Sequence, residues 1–93
     1  MRVISNKKLV EFGTLHPDAD GPLQTWRKSI ESRDFAGFAD LKSVFRSADK
    51  VGNFFVFNIG GNKYRLVAIV QFERNKVFVR EVLTHKEYSL WKP

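Results

Sequence analysis

The chain opens with a short apolar run and then an apolar pattern at helical spacing. RVIS at 2–5 predicts a short strand. A helix capped by Ser5 or Asn6 is expected to follow and to end before Pro17. Its apolar positions are Leu9, Phe12 and Leu15.

The next segment also has helical periodicity. DADG at 18–21 is typical of a turn, with Asp20 as a helix cap and Pro22 in the first turn of the helix. One stripe of that helix collects Leu23, Trp26, Ile30 and Arg33. The first three are apolar, so the stripe predicts a core-facing helix. A short helix over Asp40–Phe45 and a loop over 47–53 are expected next.

The period then changes to that of strands. The runs 54–59, 63–72 and 76–84 are rich in β-branched and aromatic residues. Gly60–Gly61 and Arg74–Asn75 separate them, and tight turns of this kind predict neighbouring antiparallel strands. The pattern therefore predicts an α+β domain spanning 1–93: a short N-terminal strand and two to three helices packed on one face of an antiparallel sheet.

The hairpin register divides the side chains between two faces. A two-residue turn at Gly60–Gly61 opposes Phe57 to Tyr64 and Phe55 to Leu66. The first face then collects Phe55, Phe57, Ile59, Tyr64, Leu66, Ala68, Val70 and Phe72. The second face collects Phe54, Val56, Asn58, Lys63, Arg65, Val67, Ile69 and Gln71. The first is almost wholly apolar and is expected to receive the helices.

A two-residue turn at Arg74–Asn75 extends this register to the last strand. It opposes Ile69 to Arg80 and Arg65 to Thr84, so Arg80 joins the second face. Glu81 would then fall on the apolar face, unless it lies at the rim of the sheet or a bulge changes the phase.

The distribution of charge along the chain indicates what kind of partner the protein binds. Residues 1–41 hold six Lys/Arg and six Asp/Glu, a net charge of zero, whereas residues 42–93 hold ten against four, which gives the whole net charge of +6. Clustered cations favour a polyanion, nucleic acid before membrane. The alternative is a basic solvated sheet face, where Arg and Lys stems cover apolar rings.

Several classes of protein are disfavoured by composition. The chain has no cysteine and no apolar run near the ~20 residues of a membrane span. MRVISNKK lacks the apolar stretch of a signal peptide, so a cytoplasmic protein is expected. Acidic residues are scattered singly and the two histidines are far apart, which argues against zinc or paired-carboxylate hydrolases.

Four ordered segments, DLKSVF, SADKVGN, VFNIGGNKYRLVAIV and VREVLTHKEY, resemble the HigB toxins of the RelE/ParE-like superfamily. The resemblance covers roughly residues 20–91. It implies a small α+β toxin that cleaves translated messenger RNA on the 70S ribosome without a metal or other cofactor. It also implies inhibition by a cognate antitoxin, a helix-turn-helix protein that alone contacts operator DNA.

Metal-free RNA cleavage needs a base for the 2′-hydroxyl, a cation for the phosphorane and a proton for the leaving oxygen. Arg65 occupies the strand position at which the superfamily carries a phosphate-binding arginine. His85 suits proton transfer near neutral pH. Tyr88 is expected to stack on a base or hydrogen-bond the phosphate.

Further residues are candidates for holding the RNA. The phosphate-binding candidates are Lys86, Arg80, Lys63 and Lys42, and the substrate-orienting candidates are Asn58 and Asn62. The site assignments have structural alternatives. His85 could cap the end of the last strand, Tyr88 and Trp91 could be core residues, and Lys42 could be a helix-surface residue that positions the next loop. Turn asparagines often bond only local backbone.

Two other functions compete with the nuclease. One is a non-catalytic basic module that binds RNA or the ribosome. The other is a superfamily relative with a different target, such as DNA gyrase, and the presence of Arg65, His85 and Tyr88 argues against it by resemblance.

Overall fold

The computed structural model describes residues 1–93, with four helices and five strands in one chain. The strands are β1 (Arg2–Ile4), β2 (Asp49–Val51), β3 (Phe54–Ile59), β4 (Tyr64–Gln71) and β5 (Lys76–Thr84). The helices are α1 (Asn6–Leu15), α2 (Pro17–Glu31), α3 (Phe38–Val44) and α4 (His85–Leu90), and a 3₁₀ turn covers Phe72–Arg74.

The strands form one sheet in the order β1-β5-β4-β3-β2. The α+β class is confirmed, but the sheet is mixed rather than purely antiparallel, because β1 pairs in parallel with β5. The segment predicted as a loop contains β2, which pairs with the first half of β3.

The main core lies between the first three helices and one sheet face. Leu23, Trp26 and Ile30 of α2 are buried, as their stripe predicts, whereas Arg33 lies beyond the helix end and is exposed. The sheet contributes the apolar face named from the sequence: Phe55, Phe57, Ile59, Tyr64, Leu66, Ala68 and Val70 are all buried. The sorting of β3 and β4 by face is therefore confirmed.

The start of α2 was predicted wrongly. The helix begins at Pro17, so the DADG segment is helical and Pro22 lies inside the helix. Proline suits the first helical position because its missing N–H has no partner there, and Asp18 and Asp20 lie in the first turn, where the helix dipole favours carboxylates.

The turn between β3 and β4 contains four residues, not two. Ile59 pairs with Tyr64 and Phe57 with Leu66, a shift of two residues from the predicted register. Gly60 and Gly61 both have positive φ, 62° and 70°, which explains the glycine pair. Because side chains alternate with period two, a shift of two leaves every β3 and β4 residue on its predicted face.

A bulge in β5 corrects the placement of Arg80. Ala68 pairs with Val79 and Val67 with Glu81, so the register shifts between them and Arg80 has no partner on β4. The predicted pairing of Ile69 with Arg80 is wrong, and Glu81 is exposed rather than buried. Because of the bulge, the Glu81 carboxylate lies outside the core, whereas a regular strand would have placed it inside.

The second sheet face carries a helix of its own. A smaller cluster of Val56, Val67 and Leu83 is covered by Tyr88 of α4 and by Trp91. The segment after β5, for which no element was predicted, is therefore a helix, and the helices do not all pack on one face.

Candidate active site

Arg65 is fixed by three acceptors at the start of β4. Its Nη1 donates to the carbonyl oxygens of Asn62, at 3.0 Å, and Tyr64, at 3.1 Å. Its Nη2 lies 3.3 Å from Nδ1 of His85. The guanidinium is half-buried, so it keeps a solvent-facing part able to meet an anion.

His85 is held at the first position of α4. Its backbone N–H donates to the Lys63 carbonyl at 3.0 Å. The helix begins with a capping box: Thr84 Oγ1 accepts from the Glu87 N–H at 3.1 Å, and Glu87 Oε1 accepts from the Thr84 N–H at 2.8 Å. Sequence analysis missed this helix, although the T-x-x-E spacing of residues 84–87 indicates such a box.

The contact with Arg65 restricts the tautomer that His85 can use in a hydrogen bond. A guanidinium only donates hydrogen bonds, so a bond at this position requires Nδ1 as the acceptor. The tautomer that fits this contact carries its proton on Nε2. His85 is exposed, so its ring is accessible from solvent.

Tyr88 completes the cluster one helical turn beyond His85. The Arg65 guanidinium carbon lies 5.6 Å from the centre of its ring, within the range of a cation–π contact. The ring also stacks on Trp91 with centroids 5.7 Å apart. Tyr88 and Trp91 thus help to close the domain, as the structural alternative holds, while Tyr88 remains half-exposed beside Arg65.

The two asparagines border Arg65. Asn58 is paired with Arg65 across the strands, and its Nδ2 donates to Asn62 Oδ1 at 3.0 Å. The Asn62 carbonyl receives the Arg65 bond described above. Both therefore make the local bonds expected of turn asparagines, beside the predicted site.

Lys63 lies away from the cluster, contrary to its predicted face. Its Nζ donates to Asp18 Oδ2 of α2 at 3.2 Å, and the Tyr64 hydroxyl donates to Asp18 Oδ1 at 2.6 Å. The hydrogen bond from Tyr64, with that from Lys63, lowers the pKa of Asp18, and the same bond to Asp18 raises the pKa of Tyr64. In the four-residue turn Lys63 is no longer a strand residue, so strand alternation does not fix its direction.

The remaining cations are dispersed. Lys42 Nζ donates to the Ala48 carbonyl at 3.0 Å, which fits its alternative role in positioning the segment before β2. Arg80 borders a surface groove with Lys8 and Phe12 of α1, and Lys86 is exposed on α4. The structure therefore brings together Arg65, His85, Tyr88, Asn58 and Asn62, but not Lys63, Lys42 or Arg80.

No group of three or more His, Cys, Asp or Glu side chains is arranged to hold a metal ion. None of the four helices has both the length and the apolar character needed to cross a membrane.

Comparison with known proteins identifies the family to which this chain belongs. Residues 19–91 match the model of the HigB toxins, described as the RelE-like toxic component of a toxin–antitoxin system. The chain belongs to the HigB toxin family. The match spans α2, α3, β2–β5 and α4, and so includes every residue of the Arg65–His85–Tyr88 cluster.

Curated HigB relatives align with almost the whole chain. The mRNA interferase toxin HigB of Escherichia coli K12 is 37% identical over 94 residues, which cover 98% of this chain and 90% of the relative. The mRNA interferase HigB of Shigella flexneri has the same identity and coverage. That of Escherichia coli O6:H1 is 25% identical, over 96% of this chain and 89% of the relative.

Proposed function

We propose that this HigB-family toxin is an endoribonuclease that cleaves translated mRNA on the ribosome by a metal-free reaction. The observation that carries the proposal is the convergence of Arg65, His85 and Tyr88 on one accessible cluster. The relatives named mRNA interferases, 37% identical over nearly the full chain, support RNA as the substrate.

The reaction begins when an RNA phosphate competes for the Arg65 guanidinium. An anionic phosphodiester is a stronger acceptor than a neutral imidazole, so Arg65 Nη2 transfers from Nδ1 of His85 to a phosphate oxygen. That transfer frees the Nδ1 lone pair. The same movement thus delivers the cation to the phosphate and exposes the base.

Nδ1 of His85 then takes the proton of the 2′-hydroxyl as its oxygen attacks phosphorus. The O2′–P bond forms and the P–O5′ bond breaks, while Arg65 stabilises the charge on the phosphorane. The imidazolium returns its proton to the 5′-oxygen. The products are a 2′,3′-cyclic phosphate and a 5′-hydroxyl, and the side chains end in their starting protonation states.

Tyr88 supplies the surface for an unstacked base. Its half-exposed ring stands beside the guanidinium that meets the phosphate, and aromatic stacking contributes about 1–3 kcal/mol per base. Contacts with the flanking nucleotides are assigned to Asn58 and Asn62, which border Arg65, and to Lys86, which follows His85 on α4. Arg80, Lys42 and Lys63 would bind RNA only at more distant phosphates.

The partners follow from the same proposal. The inhibitor is a cognate antitoxin with a helix-turn-helix domain, through which operator DNA is bound. The toxin works in the cytoplasm, where ribosomes present the mRNA.

A translation extract tests this proposal. Toxin freed of antitoxin should produce new mRNA 5′ ends in the extract, each with a 5′-hydroxyl. A control reaction on preformed ribosome complexes, with a metal chelator added, should produce the same ends. Arg65→Ala and His85→Ala should abolish these ends, while Arg74→Ala, an exposed arginine on the far turn, should not. RNA binding with a steep salt dependence and no cleavage would favour the non-catalytic module instead.

A further inference from the structure

Three consecutive backbone carbonyl groups accept hydrogen bonds from Arg65 and His85. The carbonyls of Asn62 and Tyr64 accept from Arg65, and the carbonyl of Lys63 between them accepts from the His85 backbone N–H. The position of both catalytic groups therefore depends on the backbone of residues 62–64. That segment follows two exposed glycines, which give its start little intrinsic rigidity.

Two side chains of the same segment, those of Lys63 and Tyr64, bond to a single carboxylate. Asp18 accepts from the Tyr64 hydroxyl at 2.6 Å and from Lys63 Nζ at 3.2 Å. Tyr64 is only 8% exposed, and its ring packs edge-on against Phe12. Asp18 belongs to the first turn of α2, in the helix layer that packs on the first sheet face, whereas His85 begins the helix on the second face.

We propose that Asp18 is a positioning residue for Arg65 and His85. It fixes the side chains of Lys63 and Tyr64, and so holds their carbonyls where the catalytic side chains need them. Asp18 itself contacts neither Arg65 nor His85, so it acts only through the 62–64 segment. This inference rests on the proposed nuclease function.

The first test separates turnover from binding. Asp18→Ala should lower kcat about 10- to 100-fold and leave KM within about two-fold, because misplacing reacting groups by a fraction of an ångström slows chemistry more than association. Asp18→Asn should lose less, since its amide oxygen still accepts from Tyr64. Asp20→Asn is the matched control: it lies in the same helical turn, is exposed and makes no ion pair. A kcat for Asp18→Ala equal to that of Asp20→Asn would overturn the proposal.

A mutant cycle tests the route. In a Lys63→Met, Tyr64→Phe background both groups that Asp18 holds are gone, so Asp18→Ala should change kcat by less than about two-fold there. Full additivity of the two effects would overturn the proposed route. If Asp18→Ala does not fold, Tyr64→Phe carries the test, because it removes the buried hydroxyl that donates to Asp18, and it should lower kcat with KM unchanged.

A spectroscopic arm is independent of catalysis. In the RNA-free wild-type protein, ¹⁵N chemical shifts of His85 should show one tautomer, with the proton on Nε2 and Nδ1 accepting. Asp18→Ala should give a mixture of both tautomers, while Asp20→Asn should resemble wild type. An unchanged His85 spectrum in folded Asp18→Ala would contradict the inference even if the protein proves not to cleave RNA.

Discussion

Arg65 combines four contacts that no other cation in the chain makes together. Two backbone carbonyls orient its Nη1, Nδ1 of His85 lies beside its Nη2, and its guanidinium carbon lies over the Tyr88 ring. The planar fork of a guanidinium is what allows one side chain to satisfy all of these acceptors. A residue of equal charge but different shape should therefore not replace it.

Arg65→Lys should reduce single-turnover cleavage by about 10²- to 10³-fold, the usual effect of removing one preorganised donor to a developing oxyanion. Lysine keeps the charge but cannot reach the turn carbonyls and His85 at once. Cleavage rates of wild type, Arg65→Lys and Arg80→Lys, measured with saturating enzyme, check this. Equal rates for the two lysine variants would show that charge alone suffices.

At the scale of elements, α4 brings His85 and Tyr88 to Arg65. It has only six residues, too few for a stable isolated helix, so its N-terminal capping box and its packing on Val56, Val67 and Leu83 must hold it. The helix places His85 at its first position and Tyr88 three residues later, on the side of Arg65. The helix cap, the packing of α4 and the arrangement of the proposed site thus depend on one another.

Thr84→Ala should destabilise the protein by about 1 kcal/mol, the typical cost of losing a helix cap, and should lower cleavage as α4 frays. Glu87→Gln is its matched variant, because the amide oxygen still accepts from the Thr84 N–H. Urea unfolding and cleavage rates of both variants test this. Full activity in Thr84→Ala would mean that α4 keeps its position without the cap.

At the scale of the whole molecule, carboxylates in the first turns of two helices join separate segments of the chain. Asp18 holds the β3–β4 turn, and Asp40 joins the start of α3 to Arg33 and to the backbone N–H of Ala36. The hydrogen bond from the Ala36 N–H lowers the pKa of Asp40 most, and the bond from Arg33 lowers it further. Both bonds favour the ionised form of the carboxyl group.

Stability should consequently fall in acid. A carboxyl group with a lowered folded-state pKa stabilises the fold above its ordinary pKa of 3.8, and the contribution is lost as pH falls through the lowered value. The urea midpoint of wild type should therefore drop below about pH 4. Asp40→Asn should drop less steeply with acidification, starting from a lower midpoint, and Asp20→Asn should follow wild type. Parallel curves for Asp40→Asn and wild type would contradict this linkage.

The sequence by itself determined which residues of β3 and β4 share a sheet face. Alternation in β3 and β4 is a local property, and the two-residue error in the hairpin register left it intact because the pattern has period two. The sequence also predicted the apolar stripe of α2 and the HigB family. The assignment of Arg65, His85 and Tyr88 to the site came from the resemblance and stays a prediction.

Only the tertiary structure decided the features that depend on distant partners. Lys63 turns to Asp18, 45 residues away, so strand alternation could not predict its direction. The β5 bulge moved Arg80 from the site because an unbroken strand would have buried Glu81, and α4 forms where the second sheet face offers an apolar surface. Local patterns fix which side chains face together, but the lowest free energy of the whole chain fixes which elements meet.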